Sequence, residues 1–173
     1  MNLIDTSGII LFIDFIPQFN CISHLYNLNI QLFITKVVEA EYFEKSERVL
    51  NSFLETYPSL NYYIDNKIIN IHETLDFEEL KNRYPMLGAG ELSILMLGLV
   101  YQKQNKDYVC IIDDKKARNI AEKLNLNIMG SLKLILEIKN NKIFNQSQIK
   151  QIISHIQKSP FRITDGLLDM LRN

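Results

Sequence analysis

Apolar residues along the chain follow two alternating patterns. Short apolar stretches occur at Leu3-Ile4, Ile30–Ile34, Ile68–Ile71, Val109–Ile112 and Asn127–Met129, continuous in Leu3-Ile4 and Val109–Ile112 and alternating in Ile30–Ile34. Runs of this length, rich in β-branched residues, predict strands buried on both faces, as in a parallel sheet. Between them, apolar positions recur at helical spacing. The spacing predicts helices over Ile9 to Ile16, stopped near Pro17, over Phe19 to Tyr26, and from Thr35 to about Leu54. Further helices are predicted from about Asp76, from Gly90 to Val100, from Lys115 to Leu124, over Leu132 to Ile138, over Gln148 to Gln157 and over Thr164 to Arg172. Tyr57 to Asn66 reads as a loop with aromatic cover. Strands alternating with helices predict an α/β protein with a parallel sheet and helices on both faces. No repeat or linker divides the 173 residues, which suit one domain over 1–173.

Composition changes this picture little. Hydrophobic content of 47% and charged content of 23% are ordinary for a globular protein. Cys21 and Cys110 lie in apolar surroundings without metal-site spacing, which implies a reducing compartment and no disulfide. No basic segment opens the chain and no apolar run reaches transmembrane length, so a cytoplasmic protein without membrane contact is expected. The net charge of −1 hides an asymmetry. Residues 1–100 carry 13 acids against 6 Lys or Arg, and residues 101–173 carry 7 acids against 13. An acidic half beside a basic half is compatible with a polyanionic substrate meeting a metal site.

The acids carry the chemistry. Val109-Cys110-Ile111-Ile112 runs straight into Asp113-Asp114, followed by Lys115, Lys116 and Arg118. Open α/β sheets bind ligands beyond the carboxyl ends of their strands. An acid there can also be a helix cap, but one cap needs one acid and here there are two. Leu3-Ile4-Asp5 repeats the pattern, with Thr6 and Ser7 able to cap a helix or hold a carboxylate. Glu39 and Glu41 fall in the first turns of the helix after the second strand. Glu41 has the better register for facing the sheet edge, because Val37 and Val38 precede it by four and three residues. Glu91 is the only charge between Arg83 and Lys103, at the start of a helix that reads as buried nearly all round. It is either a cap or a ligand, and Gly88 and Gly90 beside it favour the ligand. His24 and His155 lack a second ligand at suitable spacing and read as structural. If the strand ends share one edge, four or five carboxylates converge there. Such a cluster repels itself unless cations neutralise it. Oxygen ligands without His or Cys suit Mg²⁺ or Mn²⁺, whose usual work is phosphodiester hydrolysis.

Ile4-Asp5-Thr6-Ser7 resembles the opening of PIN-domain nucleases. Leu87-Gly88-Ala89-Gly90-Glu91, followed by Ile111-Ile112-Asp113-Asp114-Lys115-Lys116-Ala117-Arg118, is similar to a prokaryotic PIN subgroup related to the VapC-type toxins. Gly130-Ser131 and Phe161-Arg162-Ile163-Thr164 match the later motifs of that subgroup. The resemblance implies a three-layer α/β/α sandwich around a parallel sheet. It implies Mg²⁺- or Mn²⁺-dependent cleavage of RNA, commonly by a homodimer, and for many relatives inhibition by a small antitoxin. Carried over, the site acids are Asp5 with Ser7 in support, Glu41 with Glu39 two residues away, Glu91, and Asp114 with Asp113 adjacent. Thr35 stands where the family usually has proline. Lys115, Lys116 and Arg118 are candidates for phosphate contact, with Arg118 also able to pair with a site carboxylate. A noncatalytic PIN-like module that binds nucleic acid or protein is the alternative. A response-regulator reading of Asp113-Asp114 is weaker, because that fold expects its acid pair early in the chain.

Overall fold

The computed structural model describes residues 1–46, 56–159, 161 and 165–172. Five short strands form one sheet: β1 (Asn2–Ile4), β2 (Leu32–Thr35), β3 (Ile69–His72), β4 (Val109–Ile111) and β5 (Ile128–Met129). Their order is β3-β2-β1-β4-β5, and every neighbouring pair is parallel. Leu3 stands opposite Phe33 on one side and Cys110 on the other. The chain therefore builds outward from β1 in one direction as far as β3, then returns to the other side of β1 with β4. That reversal makes the carboxyl ends of β1 and β4 a topological switch point, where a crevice opens in sheets of this kind.

Helices flank the sheet: α1 (Thr6–Ile10), α2 (Cys21–Asn27), α3 (Lys36–Lys45), α4 (Leu60–Asp65), α5 (Glu78–Arg83), α6 (Ala89–Lys103), α7 (Lys115–Lys123), α8 (Ser131–Asn140), α9 (Gln146–Lys158) and α10 (Asp165–Arg172). Their starts follow from capping side chains. Asp5, Thr35, Ser59, Asp114 and Asn145 each accept a backbone N–H from the first turn of the helix they precede. Gly130 precedes α8 in extended conformation, and Tyr84 to Leu87 turns with Pro85 at its second position before α6.

Helix α6 is apolar on nearly every side, burying Leu92, Ile94, Leu95 and Leu97, and it lies across β1, β2 and β4. Leu3, Ile4, Ile34, Ile111 and Ile112 are fully buried in the same core. Each such side chain contributes roughly 1.5–3 kcal/mol on leaving water, so the strands are held mainly by what covers them.

Three segments differ from the sequence expectation. Tyr57 to Asn66 is not all loop: Ser59 caps the two-turn helix α4, which buries Leu60 and Tyr63 and exposes Tyr62. The long helix after Thr35 ends at Lys45, where Ser46 turns extended, and the stretch towards Leu54 that it was expected to include lies outside the described residues. The apolar helix before Pro17 changes winding, with α1 followed by a π-helical turn over Leu11–Phe15. That turn carries Asp14 inward, where Tyr42 Oη and Ser46 Oγ donate to its carboxylate at 2.9 and 2.7 Å. Arg162-Ile163-Thr164 of the last motif also lie outside the described residues. Among the described residues no single helix is long and apolar enough to cross a membrane.

Candidate active site

The five acids gather at the switch point. Asp5 follows β1 directly, and its N–H extends the ladder to Ile111 O at 3.0 Å. It is 1% exposed, and its Oδ1 accepts the Gly8 N–H at 2.9 Å as the cap of α1. Its other oxygen lies 3.4 Å from the Asp113 backbone N. Burial pushes the Asp5 carboxyl well above the ordinary range, and the neighbouring charges of Asp113 and Glu91 push it further, against the Gly8 hydrogen bond.

Asp113 and Asp114 divide the two roles that the sequence left open. Asp114 is the cap, exposed, with Oδ1 accepting from Ala117 N at 2.9 Å. Asp113 is half-buried and turns to the start of α8, where the Ser131 N–H donates at 2.9 Å and the Ser131 hydroxyl gives a second, short bond. Burial raises the Asp113 carboxyl, while the Ser131 bonds and the Arg118 charge oppose the rise.

Glu41 reaches the cluster from α3. Thr6 Oγ1, one residue beyond Asp5, donates to Glu41 Oε2 at 2.6 Å, and Lys45 Nζ lies 3.4 Å from the same oxygen. Glu39, two residues earlier, points elsewhere because two helical residues are about 200° apart; its charge is felt by Lys36. Glu91 enters from the first turn of α6. Its carboxyl is raised by burial and by the charges of Glu41 and Asp114, and lowered by its own backbone N–H and by Lys45. Glu91 Oε2 is buried with no hydrogen-bond partner among the described residues.

The glycines around Glu91 are there for room. A Cβ on Gly90 would strike the Glu41 carboxylate and come within 2.7 Å of Thr6 Oγ1. One on Gly88 would strike Glu91 Oε2. The hydroxyls that hold site acids are thus those of Thr6 and Ser131, while Ser7, the expected support, accepts the Leu11 N–H at its carbonyl. Thr35, where proline was anticipated, joins Ser93 Oγ at 2.7 Å and so ties the start of α3 to α6. Lys115 and Lys116 are exposed on the first turn of α7. Arg118 is half-buried, close enough for its charge to act on Asp113. The sequence reading passed over Lys45, although its spacing four residues after Glu41 was visible.

The donor set fits a hard divalent cation in kind: carboxylate oxygens, with the Asp5, Glu91 and Asp113 carboxyls raised chiefly by burial and the first two also by neighbouring acids, and one buried oxygen unpartnered. An unsatisfied buried polar atom costs about 1–3 kcal/mol, more if charged, which a cation would relieve. Among the described residues, however, no three acidic, histidine or cysteine side chains are drawn together closely enough to enclose one ion. The reason is local. Asp5, Asp113, Asp114 and Glu41 each have an oxygen turned to a protein donor.

Fold and site together define an α/β protein with an acidic crevice at the switch point of a parallel sheet. The family model DUF3368, described as a PIN domain, matches residues 1–172, and the chain belongs to that family, whose members are typically nucleases. No curated protein and no solved structure gives a match.

Proposed function

We propose that this chain is a Mg²⁺- or Mn²⁺-dependent endoribonuclease that acts as the toxin of a toxin–antitoxin pair, as a cytoplasmic homodimer held in check by a small antitoxin. The observation that carries the catalytic part is the convergence of Asp5, Glu41, Glu91, Asp113 and Asp114 with Glu91 Oε2 buried and unpartnered. The order and spacing of the acid motifs support RNA, a toxin role and the dimer through their resemblance to the VapC-related subgroup.

Asp5, Glu41, Glu91 and the Asp113-Asp114 pair would hold the ion; bound there, it would activate water for attack on phosphorus and stabilise the leaving oxygen. The chain's own groups prepare the site. The Gly8 N–H fixes one oxygen of Asp5 and leaves the other facing Asp113. Thr6 aims Glu41, and Ser131 fixes Asp113. Lys115 and Lys116 stand exposed just beyond Asp114, where a phosphate chain approaching the crevice would pass.

The second reading is a noncatalytic PIN-like module. One observation favours it: four of the five acids already have protein donors, and no three enclose an ion among the described residues. A nuclease assay separates the two. Wild-type protein is expected to degrade single-stranded RNA with Mg²⁺ or Mn²⁺ and to stop on chelation. Asp5→Asn keeps the size and the cap while removing one charged ligand, and activity is expected to fall by orders of magnitude. Equal cleavage by wild type and Asp5→Asn would remove these acids from the reaction. RNA binding without cleavage by either would favour the module.

A further inference from the structure

Lys45 is the last residue of α3, one turn beyond Glu41, and its ammonium lies 3.4 Å from Glu41 Oε2. Among the described residues it is the one Lys or Arg within ion-pair distance of any of the five acids. An ordinary exposed pair at this spacing contributes about 0–1 kcal/mol and needs no purpose. Here the partner is different. The Glu41 side chain is only 13% exposed, and the same oxygen already accepts the Thr6 hydroxyl at 2.6 Å. The charge of Lys45 also reaches past Glu41 to Glu91, where it opposes the upward shift of that carboxyl. The lysine side chain itself is 54% exposed, so its ammonium can swing into water without rearranging the fold.

We propose that Lys45 is a resident counter-cation of the acidic crevice, which competes with a divalent ion for Glu41 and so sets the cation concentration at which the site fills. The inference rests on the metal-centre reading of the same acids. An ammonium supplies one positive charge and stays hydrated on its outer side, which quiets the repulsion between Glu41 and Glu91 but does not cancel it. A divalent ion entering the crevice would meet that ammonium as a like charge, partly shielded by water. It must displace Lys45 from Glu41, and this lowers the apparent affinity for the ion.

The test is calorimetric titration of Mn²⁺ into the full chain after chelator treatment, without RNA, for wild type, Lys45→Met and Lys45→Arg. Circular dichroism melts check that each variant is folded. Lys45→Met, which keeps the stem and loses the charge, is expected to bind Mn²⁺ roughly tenfold more tightly. Lys45→Arg is expected to stay near wild type. Equal affinities for wild type and Lys45→Met would overturn the proposal and leave the metal centre standing. Weaker binding by Lys45→Met would also overturn it, making the lysine a support for Glu41. Absence of binding by all three proteins would overturn both the proposal and the metal reading beneath it.

Discussion

Asp113 and Asp114 are the same side chain in successive positions, yet Asp113 meets Ser131 and rises with burial, whereas Asp114 caps α7 at the surface. Environment decides the chemistry of a residue, and the two cysteines illustrate this away from the site. Burial pushes the Cys110 thiol up to about 12, and the Cys21 thiol also rises steeply for the same reason. Both groups are protonated in the folded chain at neutral pH, with Cys110 Sγ turned to the Ile94 carbonyl at 3.8 Å. In the unfolded chain a thiol ionises near 8.5. Each raised thiol therefore contributes fully to stability below about pH 8.5, and loses about 1.4 kcal/mol for every pH unit above it until the folded value is reached. The urea midpoint should fall between pH 8 and pH 10, and thiol labelling at pH 8 should proceed only at the rate of unfolding. Rapid labelling of native protein would contradict the burial of both cysteines.

At the scale of elements, the legible parts were those whose signal is local. The continuous runs of Leu3-Ile4 and Val109–Ile112 are the buried strands β1 and β4, with β1 in the middle of the sheet. Strand order depends on long-range pairing, which apolar runs do not encode. Helix α4 was missed because six residues give too little periodicity, although Ser59 ahead of Leu60 is a cap signal. The gathering of Asp5, Glu91 and Asp113-Asp114 followed from their positions at element boundaries. The contact of Thr6 with Glu41 did not, since it needs α1 and α3 to be side by side, whereas Lys45, four residues after Glu41 on the same helix, was legible and passed over. Gly90 tests that juxtaposition. Alanine for glycine inside a helix normally stabilises by about 0.5–1 kcal/mol. At Gly90 the added Cβ would press on Glu41 and Thr6. Gly90→Ala is expected to remain folded while RNA cleavage drops about 10–100-fold, as for other losses of groups that orient metal ligands. Wild-type cleavage by Gly90→Ala would mean that the Thr6–Glu41 contact is not needed.

Charge across the whole molecule bears on how a polyanion would reach the crevice. The acids come mostly from the first 100 residues, which carry 13 acids against 6 Lys or Arg, and the later part carries 13 Lys or Arg against 7 acids. Helix α7 brings the two together, because Asp114 caps it and Lys115 and Lys116 form its first turn. Cations at a helix N-terminus oppose the dipole, at a cost of about 0.3–1 kcal/mol each when exposed. A phosphate bound there would reverse that sign, since both the lysines and the free backbone N–H groups would attract it. Each phosphate neutralised on a single strand releases counterions and contributes about 0.7 to the slope of log affinity against log salt. Replacing Lys115 and Lys116 together by alanine is therefore expected to flatten that slope by about 1.4. The measurement is single-stranded RNA binding by anisotropy across a salt series, in Ca²⁺ to suppress turnover. An unchanged slope would show that these lysines are a solvated helix face and that RNA enters the crevice by another route.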